Sequence, residues 1–210
     1  MSSSFINTLR LSKTDLFRRL VLEGKSQNYL NCLLILYKRG VVSVLLYRLK
    51  RYLFLNNLAF LIKPLTILDT FYTHSELDVR AEIAGGLVLN DLGGVGLTRV
   101  AIVGKNCTLM GRVTVALGAI EGINFDVDRI KIGDNCVIGH NVKFIRPLTI
   151  ANCVQIKSNS IVIKSVDTAG SIISGIPARS IDVVGVETVM AWNPLLSHLA
   201  DMEACDENLA

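Results

Sequence analysis

A mainly β fold, a parallel β-helix of hexapeptide repeats over about 77–167 with an α-helical region before it, is predicted from three features of this 210-residue sequence. The first is a period of six. Ile132, Ile138, Phe144, Ile150, Ile156 and Val162 are all apolar, and Cys136, Val142, Leu148, Val154, Ser160 and Val166, four residues further on, are small or apolar. The second is that both frames persist backwards. Leu97, Val103, Leu109 and Val115 keep the first, Ala101, Cys107 and Val113 the second, and Leu77, Ala81, Ile83, Leu87 and Leu89 extend them after a two-residue slip near Gly93-Gly94. The third is composition: half the residues are hydrophobic and mean hydropathy is +0.45, yet only 6% are aromatic, so the apolar content is Leu, Ile and Val suited to stacked strands.

A strict six matches neither the 3.6 of a helix nor the alternation of an ordinary strand. Three hexads make one triangular coil of about 18 residues, which repeats as a solenoid. The competing reading is a sandwich of ordinary strands, which has no reason to hold one phase over so many hexads. Gly85, Gly104, Gly133 and Gly139 fall beside inward positions, where the chain is expected to bend. Between Val115 and Ile132 the frame breaks, so 116–131 reads as a loop thrown out of the coil, the kind of segment that carries function on a rigid scaffold.

The expected organisation is a helical region over 1–73, the β-helix over 77–185, and a short helix with an acidic tail over 186–210. Leu30, Leu33, Leu34 and Tyr37, then Val44, Leu45, Arg48, Leu49 and Tyr52, mark helical faces, and Pro64 opens or kinks the last helix. Charge is uneven. Gly24 to Leu68 holds no acid and seven cations, Lys25, Lys38, Arg39, Arg48, Lys50, Arg51 and Lys63, whereas Val186 to Ala210 holds five acids and no Lys or Arg. Such asymmetry suits a surface partner at one end. The cationic stretch has three readings: packing within the assembly, peripheral contact with an anionic membrane through 25–63, or nucleic-acid binding. The last lacks any motif, and the net charge of +4 is too small for it.

The five cysteines form no C-x-x-C pair and no metal-ligand spacing, which suits a reducing cytoplasm and leaves metal binding without a candidate. Cys107 and Cys136 read as small core residues. Met1-Ser-Ser-Ser lacks the basic-then-apolar order of a signal peptide. Lys38-Arg39 and Arg48 to Arg51 interrupt every run that approaches the roughly 18 apolar residues of a spanning helix.

Ser174-Gly175-Ile176-Pro177-Ala178-Arg179, which closes the coils, resembles the end of acetyl-CoA-dependent hexapeptide acetyltransferases. With the basic helical lead-in, the coils and the loop, about 41–185 is similar to serine acetyltransferase, and in look closer still to the related enzymes of exopolysaccharide and colanic acid clusters. The resemblance implies a left-handed β-helix, a homotrimer, acetyl-CoA held between neighbouring coil stacks, and a histidine taking the proton of the acceptor hydroxyl. A base of near-neutral pKa suits that step. The family's Asp-His-Gly stretch aligns with Asn90-Asp91-Leu92, and its His-Gly-Val-Thr with Gly111-Arg112-Val113-Thr114, so neither catalytic histidine is found at its place. The three histidines are His74, His140 and His198.

Two functions are therefore weighed. One is an acetyl- or acyl-CoA-dependent O-acyltransferase acting on a sugar or polysaccharide precursor, and not a serine acetyltransferase. The other is an inactive homologue serving as a scaffold or regulatory subunit. For the enzyme, the catalytic candidates are His140, as a relocated base, and Asp91, whose pKa would have to rise by about three units, roughly 4 kcal/mol. Asp91 next to Gly-Gly also reads as a plain turn residue, and His140 as a surface or interface histidine. Asn90, Arg112 and Arg129 are the acceptor-binding candidates. Lys143, Lys157, Ser158, Gly175 and Arg179, with Lys164 nearby, are the coenzyme candidates; the lysines equally read as a solvated face.

Overall fold

The computed structural model describes residues 2–26, 28–90, 93–118, 124 and 127–184. Asp91, much of the loop and the 186–210 segment lie outside that set. Four helices come first, α1 (Ser2–Leu22), α2 (Tyr29–Ile35), α3 (Arg39–Leu55) and α4 (Ile62–Thr73), with a 3-10 turn at Ala59–Leu61. Pro64 sits in the first turn of α4, where its missing N–H costs nothing.

Parallel strands then wind as a left-handed solenoid of about four turns with three faces. Face A stacks β1 (Glu76–Leu77), β4 (Gly96–Leu97), β7 (Thr114–Val115), β10 (Lys143–Phe144) and β13 (Ile161–Val162). Face B stacks β2 (Glu82–Ile83), β5 (Ala101–Val103), β8 (Ile130–Ile132) and β11 (Leu148–Ile150). Face C stacks β3 (Val88–Leu89), β6 (Thr108–Leu109), β9 (Val137–Ile138), β12 (Gln155–Ile156) and β14 (Ser171–Gly175), and an antiparallel β15 (Ala178–Val183) closes its edge. The six-residue frame is the interior. Leu97 pairs with Val115, Phe144 with Val162 and Ile138 with Ile156, all at most 1% exposed. The two-residue slip lies where it was read, because Leu89 pairs with Leu109 and Leu77 with Leu97. Between Val115 and Ile130 the loop leaves the corner from face A to face B.

Strands end just before Gly104, Gly133 and Gly139, where the bends were expected. The left-handed corner residues are Gly86 and Gly94 together with Asn106, Arg112, Asn135, Asn141, Cys153 and Asn159, the last six with φ between 55° and 60°, and each lies one residue before an inward position. Asparagine tolerates that conformation best among non-glycine residues. Gly139 serves close packing instead: a Cβ there would lie 2.5 Å from the Ser158 nitrogen and 2.8 Å from the Ile156 oxygen.

The first coil has an open edge, and the helices close it with charged side chains. Arg48 donates to the Ile83 and Ala84 carbonyls at 2.7 and 2.6 Å, and Tyr47 Oη to Ala81 at 2.8 Å. Arg51 donates to Val79, Arg19 to Leu89, and Arg18 to Gly86, Cys107 and Thr108. Asp15 accepts the Leu87 N–H at 2.9 Å and pairs with Arg48 Nε at 2.9 Å. A bare strand edge would invite pairing with another chain, and covering it removes that hazard. Lys50 and Asp69, both 1% exposed, pair at 2.7 Å and tie α3 to α4.

The cations of 25–63 are thus largely turned inward, with Lys25 and Lys38 held by Glu23 at 3.0 and 2.6 Å. Arg39 and Lys63 remain exposed. Leu30, Leu33, Leu34 and Tyr37, which mark one helical face, are exposed at 47–72%. No helix among the described residues is long and apolar enough to cross a membrane.

Candidate functional site

The corner where face C turns into face A gathers more of the candidates than any other part of the described chain. Each coil places a short turn there, so the turns stack: Asn90, then Met110-Gly111-Arg112, then Gly139-His140-Asn141, then Lys157-Ser158-Asn159. Backbone bonds hold the column, Arg112 N–H to Gly93 O at 3.0 Å, Asn141 N–H to Gly111 O at 3.0 Å and Asn159 N–H to His140 O at 2.8 Å. Gly175 ends face C beyond Ser158, and its N–H donates to Ser160 Oγ at 3.2 Å. A cavity of about 320 Å³ opens on this column, lined by Gly111, Arg112, His140, Asn141 and Asn159.

His140 is held on both sides. Its backbone N–H donates to Ser158 Oγ at 3.1 Å, and its ring Nδ1 accepts the Gly111 backbone N–H at 3.2 Å. A backbone N–H can only donate, so Nδ1 must offer its lone pair, and the neutral ring then carries its proton on Nε2. His140 therefore presents a donor to the cavity. A base needs that nitrogen unprotonated, so the role expected of this residue requires the ring or its proton to move. Asn141 Nδ2 donates to Asn159 Oδ1 at 3.0 Å, which leaves the Asn159 amide hydrogens for another partner. The Arg112 side chain is exposed and has no ion-pair partner among the described residues.

The other candidates do not converge on the cavity. Arg129 sits at the far side of face A, donating from Nη2 to Glu82 Oε1 at 3.0 Å and from Nε to Val100 O at 3.2 Å. It does not flank a common site with Arg112, because β7 and the loop separate them. Lys143 is exposed on face A, level with Thr114 and Ile161, and Lys164 is exposed beyond β13. Arg179 lies on β15 opposite Ser174, at the free edge of face C beside Gly175. Asn90 is half-buried, with its amide 3.6 Å from Met110 Sδ. Asp91 follows Asn90 in the chain but is outside the described residues. Asn141 and Asn159 line the cavity and were missed, although asparagine one residue before the inward position recurs in the sequence as a signal.

Among the described residues no group of His, Cys, Asp and Glu could hold a metal ion. Cys107 and Cys136 are fully buried and donate to carbonyls of the next coil, Gly133 at 3.1 Å and Ala151 at 3.3 Å, which makes them core residues.

Helices capping a left-handed hexapeptide coil stack, with a hydrogen-bonding cavity on one corner, define a serine-acetyltransferase-type fold. No protein-family model matches the chain. It is 28% identical over 128 residues to the serine acetyltransferases of Staphylococcus aureus strains Mu50 and N315, covering 59% of this chain and 56% of theirs. The chain thus spans little more than half the length of those relatives. The Neisseria gonorrhoeae serine acetyltransferase structure matches with a TM-score of 0.76 at 20% identity, over 89% of this chain and 71% of that one. The gonococcal enzyme in complex with serine gives 0.74 at 21% identity, over 86% and 72%. The Brucella abortus strain S19 enzyme in complex with coenzyme A gives 0.74 at 21% identity, over 87% and 74%.

These relatives overturn one expectation. The chain was read as an acyltransferase other than serine acetyltransferase, and the proteins it resembles are serine acetyltransferases. The earlier reading removed an activity on the strength of two short aligned stretches.

Proposed function

We propose that the chain is an acyl-CoA-dependent O-acyltransferase of the serine acetyltransferase type, working as a homotrimer. The observation that carries this reading is the match of helices and coils together, over 85–89% of the chain, to serine acetyltransferase structures that include serine and coenzyme A complexes. In the reaction the acceptor's hydroxyl oxygen attacks the thioester carbonyl and the C–S bond breaks. An ester forms, and the hydroxyl proton passes through a base to the leaving thiolate, giving free coenzyme A. The column contributes the acceptor side of this reading, with Asn90 and Arg112 at its upper coils. Lys157, Gly175 and Arg179 at its lower end, with Lys143 beside it, are the groups proposed for the coenzyme; Ser158 supports His140 through its oxygen.

Calorimetric titration with acetyl-CoA should show saturable binding and a raised melting temperature, since a ligand of the native state stabilises it. Coenzyme A release, followed with a thiol reagent, should then depend on serine. Release with hexose acceptors but not with serine would move the acceptor to a sugar or polysaccharide precursor. Binding without release for any hydroxyl would favour the scaffold reading, and absence of binding would sink the proposal.

The trimer is proposed because flat, repetitive solenoid faces suit closed cyclic packing, and because the cavity lies at a corner where a neighbour's face would complete it. Mass photometry at micromolar concentration should give three times 23.0 kDa. A stable monomer would refute it.

A further inference from the structure

We propose that Arg112, His140 and Asn159 form an oxyanion subsite, taking a phosphate or carboxylate group of the acyl acceptor or of the coenzyme. It deepens the reading of the corner as an acyl-transfer site and is named for its donors. The cavity of about 320 Å³ has three kinds of donor on its wall and no carboxylate among its described lining residues. Arg112 supplies a planar guanidinium with paired N–H groups suited to two oxygens of one anion. His140 supplies Nε2–H, because Nδ1 is committed to the Gly111 N–H. Asn159 supplies its amide hydrogens, because its oxygen is taken by Asn141. The Asn141 amide oxygen is the one side-chain acceptor left among the described residues of this wall.

Backbone conformation points the same way. Arg112 has φ 60°, and the equivalent corner positions are Gly86, Gly94, Asn106, Asn135, Asn141, Asn159 and Cys153. An arginine in the left-handed region is disfavoured, and a residue held there against local preference marks a site with a use for its side chain. Asparagine at position 112 would turn the corner at least as well. The Arg112 backbone and stem pack on Gly93 and Gly94, while its guanidinium has no ion-pair partner among the described residues and is left for a ligand.

The test uses the whole protein with inorganic phosphate, followed by calorimetry and by melting temperature. Wild type should bind phosphate saturably, and Arg112→Asn should bind it about 10- to 100-fold more weakly, the effect of hydrogen bonds to a charged group. Arg112→Asn should melt at the same temperature or higher, because the strain is relieved. His140→Gln serves as a second variant and should weaken phosphate binding to a lesser degree, by loss of one donor. Competition assigns the source. Displacement of phosphate by coenzyme A but not by its 3′-dephospho form places the coenzyme there, and displacement by serine or phosphoserine places the acceptor. Phosphate binding unchanged in Arg112→Asn, or a clear fall in its melting temperature, would overturn the subsite. Phosphate binding without acyl transfer would retain the subsite and remove the enzymatic reading; transfer without phosphate binding would do the reverse.

Discussion

Asp15→Ala is expected to destabilise the protein by about 3–5 kcal/mol, the usual effect of removing one partner from a buried ion pair. Asp15 and Arg48 are both 4% exposed at their side chains, and Asp15 also accepts the Leu87 N–H. Without the carboxylate the Arg48 charge stays buried, with only the Ile83 and Ala84 carbonyls, and a backbone N–H on the coil edge loses its acceptor. For a chain of this length the melting temperature should drop by roughly 6–20 °C. Adding Arg48→Met should recover part of the loss, because the orphaned charge goes with it. A loss under about 1 kcal/mol would show that water reaches the pair and that the edge needs no charged cap. The pH dependence follows from the direction of the shift. Burial pushes the Asp15 carboxyl up, against the pull of Arg48. Stability linked to that group is therefore fully present below its unfolded pKa, near 3.8, and declines as pH rises through the folded value.

Asp91→Asn is expected to lower the rate of acyl transfer by about 10²- to 10⁴-fold, the ordinary contribution of a general base, with coenzyme affinity little changed. The argument is by chemistry. His140 has its Nδ1 lone pair engaged by Gly111 and its Nε2 protonated, so it cannot take the hydroxyl proton as it stands. Asp91 is then the titratable candidate that the sequence leaves, next to Asn90 in the chain. This puts Asp91 ahead of His140, the other catalytic candidate of the sequence. His140→Gln, which keeps a donor and cannot act as a base, should lose far less turnover. Should His140→Gln lose as much while still binding acetyl-CoA, the ring turns during catalysis and the base is His140 after all.

The repeat was legible because burial in a solenoid is periodic by construction. Every sixth residue meets the same interior, so Ile132, Ile138 and Phe144 declare the fold without any neighbour in view. The slip near Gly93-Gly94 and the loop after Val115 were legible as breaks in that count. The inward face of α1 was not, because two of its buried residues are charged: Asp15 and Arg18 lie beside Leu20 where the hydrophobic pattern has no signal. The same holds for Arg48 and Lys50, which left packing and surface readings open and are interior.

For the site, sequence alone named Asn90, Arg112, His140, Lys157, Ser158 and Gly175, and the coil register set them on one corner. Their roles needed coordinates. Whether an imidazole offers a proton or a lone pair depends on which backbone group meets Nδ1, here an N–H from the coil before, 29 residues away in the chain. Whether an arginine is a ligand group or an edge cap depends on which carbonyls lie within reach: Arg48 finds two, and Arg112 has none recorded among its described neighbours. Sequence by itself determined the periodic interior, since that depends only on spacing along the chain. Only the tertiary structure decided the partners of the polar groups, since hydrogen bonds and ion pairs are set by contacts between distant coils and helices that no local pattern encodes.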